Sequence, residues 1–223
     1  MPMKLSPKGK KVIEVISLAA VVVAAFIYWD SVAVFPVKLL TVLLHESSHA
    51  LMTLVTGGSI MEMQVNYQLG GCCVSKGGNP LFIAPAGYIG SSLLGALLFA
   101  SERKFKYSKI VCTVFAVAFV LLAFMYIKSI FGILFTLAFA LLFFFSPRLL
   151  PQMVHSFLIR TLGMISCLYA VVDIKEDLLT AENHQTDAQV LAALTHVPAI
   201  WWGILWFAIS IIVVYLLVRR DLR

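Results

Sequence analysis

Residues 36 to 55 read Pro36-Val37-Lys38-Leu39-Leu40-Thr41-Val42-Leu43-Leu44-His45-Glu46-Ser47-Ser48-His49-Ala50-Leu51-Met52-Thr53-Leu54-Val55. The run has the length of a bilayer crossing, about 20 residues, yet two histidines and a glutamate interrupt it. On a helix, positions i and i+4 share a face, so His45 and His49 present their imidazoles one above the other to a single metal ion. Glu46, next to the first histidine, can reach a water held by that ion and act as its general base. An ionisable group at mid-span costs about 2.5 to 3.5 kcal/mol on insertion scales and marks a functional site by default.

The surroundings fit a membrane setting. Of the 223 residues, 61% are hydrophobic and 13% charged, against about 45–50% and about 25% in soluble domains. Apolar segments near 12 to 29, 31 to 55, 81 to 100, 109 to 127, 129 to 145, 153 to 173 and 199 to 218 follow so closely that no soluble domain fits between them. The expected fold is an all-α polytopic membrane protein of six or seven transmembrane helices, with residues 1–223 forming one integral membrane domain. The net charge of +6 comes from lysines and arginines gathered at segment ends, where they anchor a protein to the bilayer rather than to nucleic acid. Lys4, Lys8, Lys10 and Lys11 precede an apolar run that ends at Tyr28-Trp29-Asp30 without a small-residue cleavage pattern, so a retained anchor is expected. Multi-pass insertion is implied, in the plasma membrane if the source is bacterial.

Seven alternating crossings would place Lys4, Lys8, Lys10, Lys11, Lys76, Lys128 and Lys175 on one side. Arg103, Lys104, Lys106, Lys109, Arg148, Arg219, Arg220 and Arg223 would lie on the other. That near balance encodes no orientation, unless one apolar segment fails to cross. Glu14, Lys38, Lys128 and Arg160 lie near segment ends and are expected to snorkel, with Arg160 deep enough for a buried pairing. Residues 56–79 alternate in polarity between glycine pairs, the pattern of a short β-hairpin or re-entrant segment. Such backbone must be buried in protein, line a watery cavity or sit at the surface. The adjacent Cys72 and Cys73 read as ordinary loop residues, since thiolate zinc ligands are usually spaced by two or more positions.

A catalytic zinc usually takes three protein ligands and keeps one position open. The sixth segment ends with Asp173 and Asp177, four apart on one helical face and on the same side as the motif end of the second. Asp173, the deeper, is the expected third ligand, with Asp177 as its alternative or as a partner orienting a histidine. His184, His196 and Asp187 fall on that side too and could ligate, but are expected at the surface, and His155 lies at the far end.

His45-Glu46-Ser47-Ser48-His49-Ala50, Gly57-Gly58, Gly70-Gly71, Ala86-Gly87-Tyr88-Ile89-Gly90-Ser91 and Tyr169-Ala170-Val171-Val172-Asp173-Ile174-Lys175-Glu176-Asp177 occur in this order. Together they resemble the site-2 protease family of intramembrane zinc metallopeptidases, in its compact branch without a PDZ domain. The resemblance implies one zinc per chain held by His45, His49 and a late aspartate, Glu46 as general base, and cleavage of a transmembrane protein substrate within or beside the bilayer. It departs from the family in having no Asp-Gly pair. The alternating stretch Met61 to Tyr67 could accept an unwound substrate as an added strand, which makes Met61, Gln64, Val65 and Asn66 candidate substrate contacts. Two other classes fit parts of the pattern: an inactive relative that binds or escorts membrane proteins, for which an intact Glu46 has no use, and a metal or proton transporter, for which an internal repeat is wanting.

Overall fold

Several helices begin where the sequence supplies a proline or a cap. Pro36 opens α2 (Phe35–Val55) in the first turn, where its missing N–H costs nothing. Asn79 accepts from the Leu81 N–H at 3.1 Å to start α3 (Pro80–Ser101), and Ser129 accepts from the Gly132 N–H at 3.1 Å to start α5 (Ile130–Leu149). A reciprocal capping box opens α7 (Asp187–Thr195): Thr186 Oγ1 accepts from the Gln189 N–H, and the Gln189 side chain accepts from the Thr186 N–H. The other helices are α1 (Pro7–Ile27), α4 (Phe105–Met125), α6 (Gln152–Leu179) and α8 (Ala199–Asp221). The structure, a computed structural model, describes residues 7–179 and 186–221, with side chains for 12–169 and 186–221.

The protein is mostly helical and polytopic. Among the described residues, α3, α4, α5 and α8 are long and apolar enough to cross a bilayer, and α1 holds a shorter apolar stretch, Val12–Ile27. Large apolar side chains on the outer faces of α4 and α8, such as Val114, Leu121, Ile204 and Ile212, are exposed, as lipid-facing residues should be. Between α2 and α3 the chain forms two antiparallel strands, β1 (Ser59–Val65) and β2 (Gly71–Lys76), in register from Ser59 opposite Lys76 to Val65 opposite Gly71. The hairpin folds back along α2. Met63 and Val65 join Leu39, Leu40, Leu43 and Leu44 of α2 and Phe115, Phe119 and Phe143 of α4 and α5 in one core. On its other side β1 is fastened to the α4–α5 link, where the Met63 N–H donates to the Tyr126 carbonyl at 3.0 Å.

Small residues set the closest helix contact. Gly95 of α3 and Gly163 of α6 face each other, and a Cβ at Gly95 would lie 2.6 Å from the Gly163 carbonyl oxygen. Ser92 donates to the Cys167 carbonyl at 3.2 Å on the same seam. Close backbone approach of this kind is how helices associate without a hydrophobic drive. The Ser92–Cys167, Gly95–Gly163 and Glu102–Ser156 pairs make α3 and α6 antiparallel. The Glu14–Arg160 and Trp29–Tyr169 contacts then run α1 parallel to α6. Asp221 at the end of α8 holds the same Arg160, at 2.9 and 3.2 Å. The start of α1 therefore lies at the end of the bundle where α8 finishes. Since α2 is antiparallel to α3 as well, the strict alternation of crossings read from the sequence fails between α1 and α2. Arg160 is itself largely buried and has the pairing expected of it in Asp221, while its contact with the half-exposed Glu14 marks the direction of α1.

At this end of the bundle four helix termini meet on a buried polar cluster. His155 of α6 lies 3.1 Å from Glu102 at the end of α3, with both side chains fully buried. Ser108 of α4 donates to Glu102 and lies 2.6 Å from His155 Nε2. Ser146 of α5 meets His155 Nδ1 at 3.1 Å, and Ser156 donates to Glu102 at 2.7 Å. Removing one member strands the others without water. Glu102→Ala is expected to lower stability by about 3 kcal/mol, read as an earlier unfolding transition in detergent, while Lys106→Ala on the exposed face of α4 should leave the transition in place.

Candidate metal centre and cleft

The motif helix carries its two histidines inward. His45 and His49 are 8% and 7% exposed, and their Nε2 atoms lie 2.9 Å apart. Asp187, the first residue of α7, brings one carboxylate oxygen to 3.1 Å from each Nε2. The three donor atoms thus form a triangle with sides of 2.9 to 3.1 Å. Donors about 3.3 Å apart are what a tetrahedral zinc with ligand distances of 2.0–2.1 Å requires. A second feature fits the metal. The Ile83 carbonyl accepts from His49 Nδ1 at 2.7 Å, which orients the ring and leaves Nε2 as the nitrogen facing the triangle. The residues present therefore fit a zinc ion with one side left open.

Burial alone would raise the Asp187 carboxyl, but His49 and His45 beside it hold it below its ordinary value, as an anionic ligand should be. Asp187 was expected at the surface, and here the expectation is corrected. The capping box at the N-cap Thr186 starts the helix at Asp187, and α7 then packs Ala188 and Leu191 against Ala84 and Tyr88 of α3 and Trp206 of α8. The signal was present in Thr186-Asp187-Ala188-Gln189, a helix-start pattern inside a segment that otherwise reads as polar loop. Asp173 and Asp177 lie in the last turns of α6, and their side chains are outside the described residues, as is His184.

Two glycines admit the site. A Cβ at Gly87 of α3 would overlap Nε2 of both His45 and His49, so the α3 backbone itself forms the floor beneath the donors. A Cβ at Gly71, the first residue of β2, would lie 2.7 Å from both Glu46 Cγ and Val42 Cγ1. The strand therefore rests directly on the glutamate. Tyr88 closes a further wall, edge-on to His45 with centroids 4.8 Å apart and stacked on Trp206 at 4.5 Å. Tyr88 drew notice only as part of the run Ala86 to Ser91 and Trp206 not at all, because a tyrosine in one apolar span and a tryptophan in another carry no mark of facing each other.

These residues bound a cleft of about 550 Å³. From the hairpin it takes Gly71, Cys72 and Cys73 of β2, and none of Met61, Gln64, Val65 or Asn66 lines it. Of the candidate substrate contacts, Val65 is fully buried in the core and Met61 is exposed; β1 is fastened to the α4–α5 link, and β2 is the strand that borders the cleft. Burial, with Glu46 nearby, pushes the Cys73 thiol up to about 12, and the Cys72 thiol is raised for the same reasons. Both stay protonated at neutral pH and unsuited to metal.

The family model for Peptidase M50B-like proteins matches residues 18–217. No curated protein and no solved structure matches the chain.

The Gly87 floor gives a direct test of the centre. Gly87→Ala should cut zinc bound per purified chain several-fold while the protein stays monodisperse in detergent; Gly95→Ala, away from the donors, should keep its zinc even though it loosens the α3–α6 seam.

Proposed function

We propose that this chain, which belongs to the Peptidase M50B-like family, is an intramembrane zinc metalloprotease that hydrolyses peptide bonds of membrane-embedded or membrane-anchored proteins. The observation that carries this reading is the convergence of His45, His49 and Asp187 on one point, with Glu46 in the same cleft. His45, His49 and Asp187 would hold one zinc ion, and α2 and α6 would complete the set of membrane spans with α3, α4, α5 and α8. When bound, zinc supplies Lewis acidity, polarising a carbonyl and bringing the pKa of water towards neutrality.

The chain's own residues do the rest. Glu46 takes the proton of the attacking water and returns it to the leaving amine. Its carboxylate is held between α2 and the Gly71 backbone, so it approaches the reacting bond from one direction. The Ile83 carbonyl fixes the His49 ring, and the Tyr88 edge limits His45. Apolar walls from α2 and α3 exclude bulk water, while the cleft mouth beside α7 and β2 admits the water the hydrolysis consumes. A transmembrane helix has its amides bonded internally, so a substrate must unwind to be cut. The outer edge of β2 would receive the unwound stretch as an added strand, its backbone bonds replacing those lost from the helix.

Purified protein in detergent, assayed for zinc and for cleavage of a transmembrane reporter, tests the reading. About one zinc per chain is expected, absent in His45→Ala and Asp187→Asn and present in Asp173→Asn, Asp177→Asn and Glu46→Gln. Glu46→Gln should lower cleavage by about 10²- to 10⁴-fold. Zinc loss in Asp173→Asn with retention in Asp187→Asn would move the third ligand to α6. Folded protein that binds zinc stoichiometrically but cleaves no membrane substrate would instead be the non-catalytic relative. Gly71→Ala separates the base from the metal: zinc content should hold while turnover drops by about 10²-fold, the scale of a misplacement near 1 Å.

A further inference from the structure

The outer face of α4 and α5 carries a cationic groove that neither the metal cleft nor the buried polar cluster uses. Arg148, in the last turn of α5, reaches across to α4, where its guanidinium donates to Thr113 Oγ1 at 3.0 Å. The Thr113 hydroxyl donates in turn to the Lys109 carbonyl at 2.7 Å, which leaves its oxygen to accept from the arginine. Arg148 also donates to the Phe144 carbonyl and sits over the Phe144 ring, 3.8 Å from its centroid. These contacts hold the planar fork in place while part of it still has protons to donate. Lys109 stands beside it, its ammonium 4.7 Å from the centre of the Phe105 ring. With Ile110, Thr113 and Val114, the two cations line a shallow cavity of about 310 Å³.

Charge and position decide what such a groove takes. Among the described residues, no carboxylate pairs with Lys109 or Arg148. Glu102 is spent inside the bundle on Ser108, Ser156 and His155. A guanidinium fork beside an ammonium, with no anion of its own, matches a phosphate. From the cations, α4 runs on with Ile110, Val114, Val117 and Leu121, each exposed over about half its surface. Their spacing puts them in one stripe down a helix that is apolar and long enough to cross a bilayer. The stripe is about 16 Å long, the depth of one leaflet of a hydrocarbon core about 30 Å thick. A zwitterionic headgroup would bring its own ammonium against Lys109, so the fit is to a lipid of net negative charge.

We propose that this groove binds one anionic phospholipid, its phosphate held between the Arg148 fork and the Lys109 ammonium and an acyl chain lying along Ile110, Val114, Val117 and Leu121. The bound lipid clips the start of α4 to the close of α5. Those are the helix ends that bring Ser108 and Ser146 to His155, so the lipid braces the buried polar cluster from outside. Neither the metal nor peptide hydrolysis enters this binding, which stands or falls apart from the protease reading.

The full chain, purified in a neutral detergent and depleted of lipid, is titrated with phosphatidylglycerol, with phosphatidylcholine of the same acyl chains, and with inorganic phosphate. Lipid retained per chain is counted by native mass spectrometry, and the unfolding transition is followed in parallel. Phosphatidylglycerol is expected to bind at about one molecule per chain, in preference to phosphatidylcholine, and to raise the transition, whereas phosphate alone should not. Lys109→Gln combined with Arg148→Gln should weaken phosphatidylglycerol binding by about tenfold or more, at roughly fivefold for each cation removed. Lys104→Gln combined with Lys106→Gln, exposed cations outside the groove, should change it by less than about twofold. Arg148 also ties α5 to α4, so if the first pair unfolds, Lys109→Gln alone decides: it should cost roughly fivefold in binding and leave the transition of the lipid-free protein in place. Equal losses in the two pairs, no loss in Lys109→Gln, or an equal response to phosphatidylcholine or to phosphate alone overturns the proposal.

Discussion

Two imidazoles and two carboxylates in an apolar bundle are tolerable only if protein, rather than lipid, surrounds them on almost every side. The glycines of α3 make that possible. Gly87 lets its helix pass against the ring nitrogens of His45 and His49, Gly90 admits Ser48 of α2, and Gly95 meets Gly163 of α6 backbone to backbone. With α2 and α6 both seated on α3 at this range, the motif's polar face is enclosed and its outer face is left apolar. Any larger residue at these positions would open a gap that neither lipid nor a lone water could fill without cost.

From that seam the rest of the centre follows. The α2 face that bears His45 and His49 leans on α3, so α2 turns Leu39, Leu40, Leu43 and Leu44 to the hairpin and to α4 and α5. The hairpin can then fold back beside α2, where β2 begins on Glu46 and borders the cleft. A two-stranded hairpin alone is marginal in water. Here one strand is in the core and fastened to the α4–α5 link, which leaves the second to serve the cleft.

α7 contributes in a different way. It is short and hangs on a capping box and a small apolar contact with α3 and α8, yet its first residue supplies a carboxylate to the histidines. A ligand delivered by a peripheral helix ties metal occupancy to the docking of that helix. The stacked Tyr88 and Trp206 link the two, because they pack α7 on one side and touch His45 on the other.

Much of this was legible in the chain itself. Histidine spacing at i and i+4 places two ligands on one helical face whatever surrounds the helix, and Glu46 is fixed by covalent neighbourhood. Apolar runs long enough to cross a bilayer define most of the helices, and alternation between glycine pairs drew attention to residues 56–79. Local period and chain order determine all of these. What tertiary structure decided is what depends on pairing distant segments. Asp187 was read as a surface residue because the sequence carries no record that α7 returns to α3, whereas Asp173 and Asp177 drew attention by sharing the helical spacing of the histidines. β2 rather than β1 borders the cleft because β1 is held by the α4–α5 link, some sixty residues further along. The direction of α1 shows only in tertiary contacts such as those of Arg160 with Glu14 and Asp221 and of Trp29 with Tyr169. Hydropathy measures how far a segment can reach, but which way it runs is set by the contacts it makes.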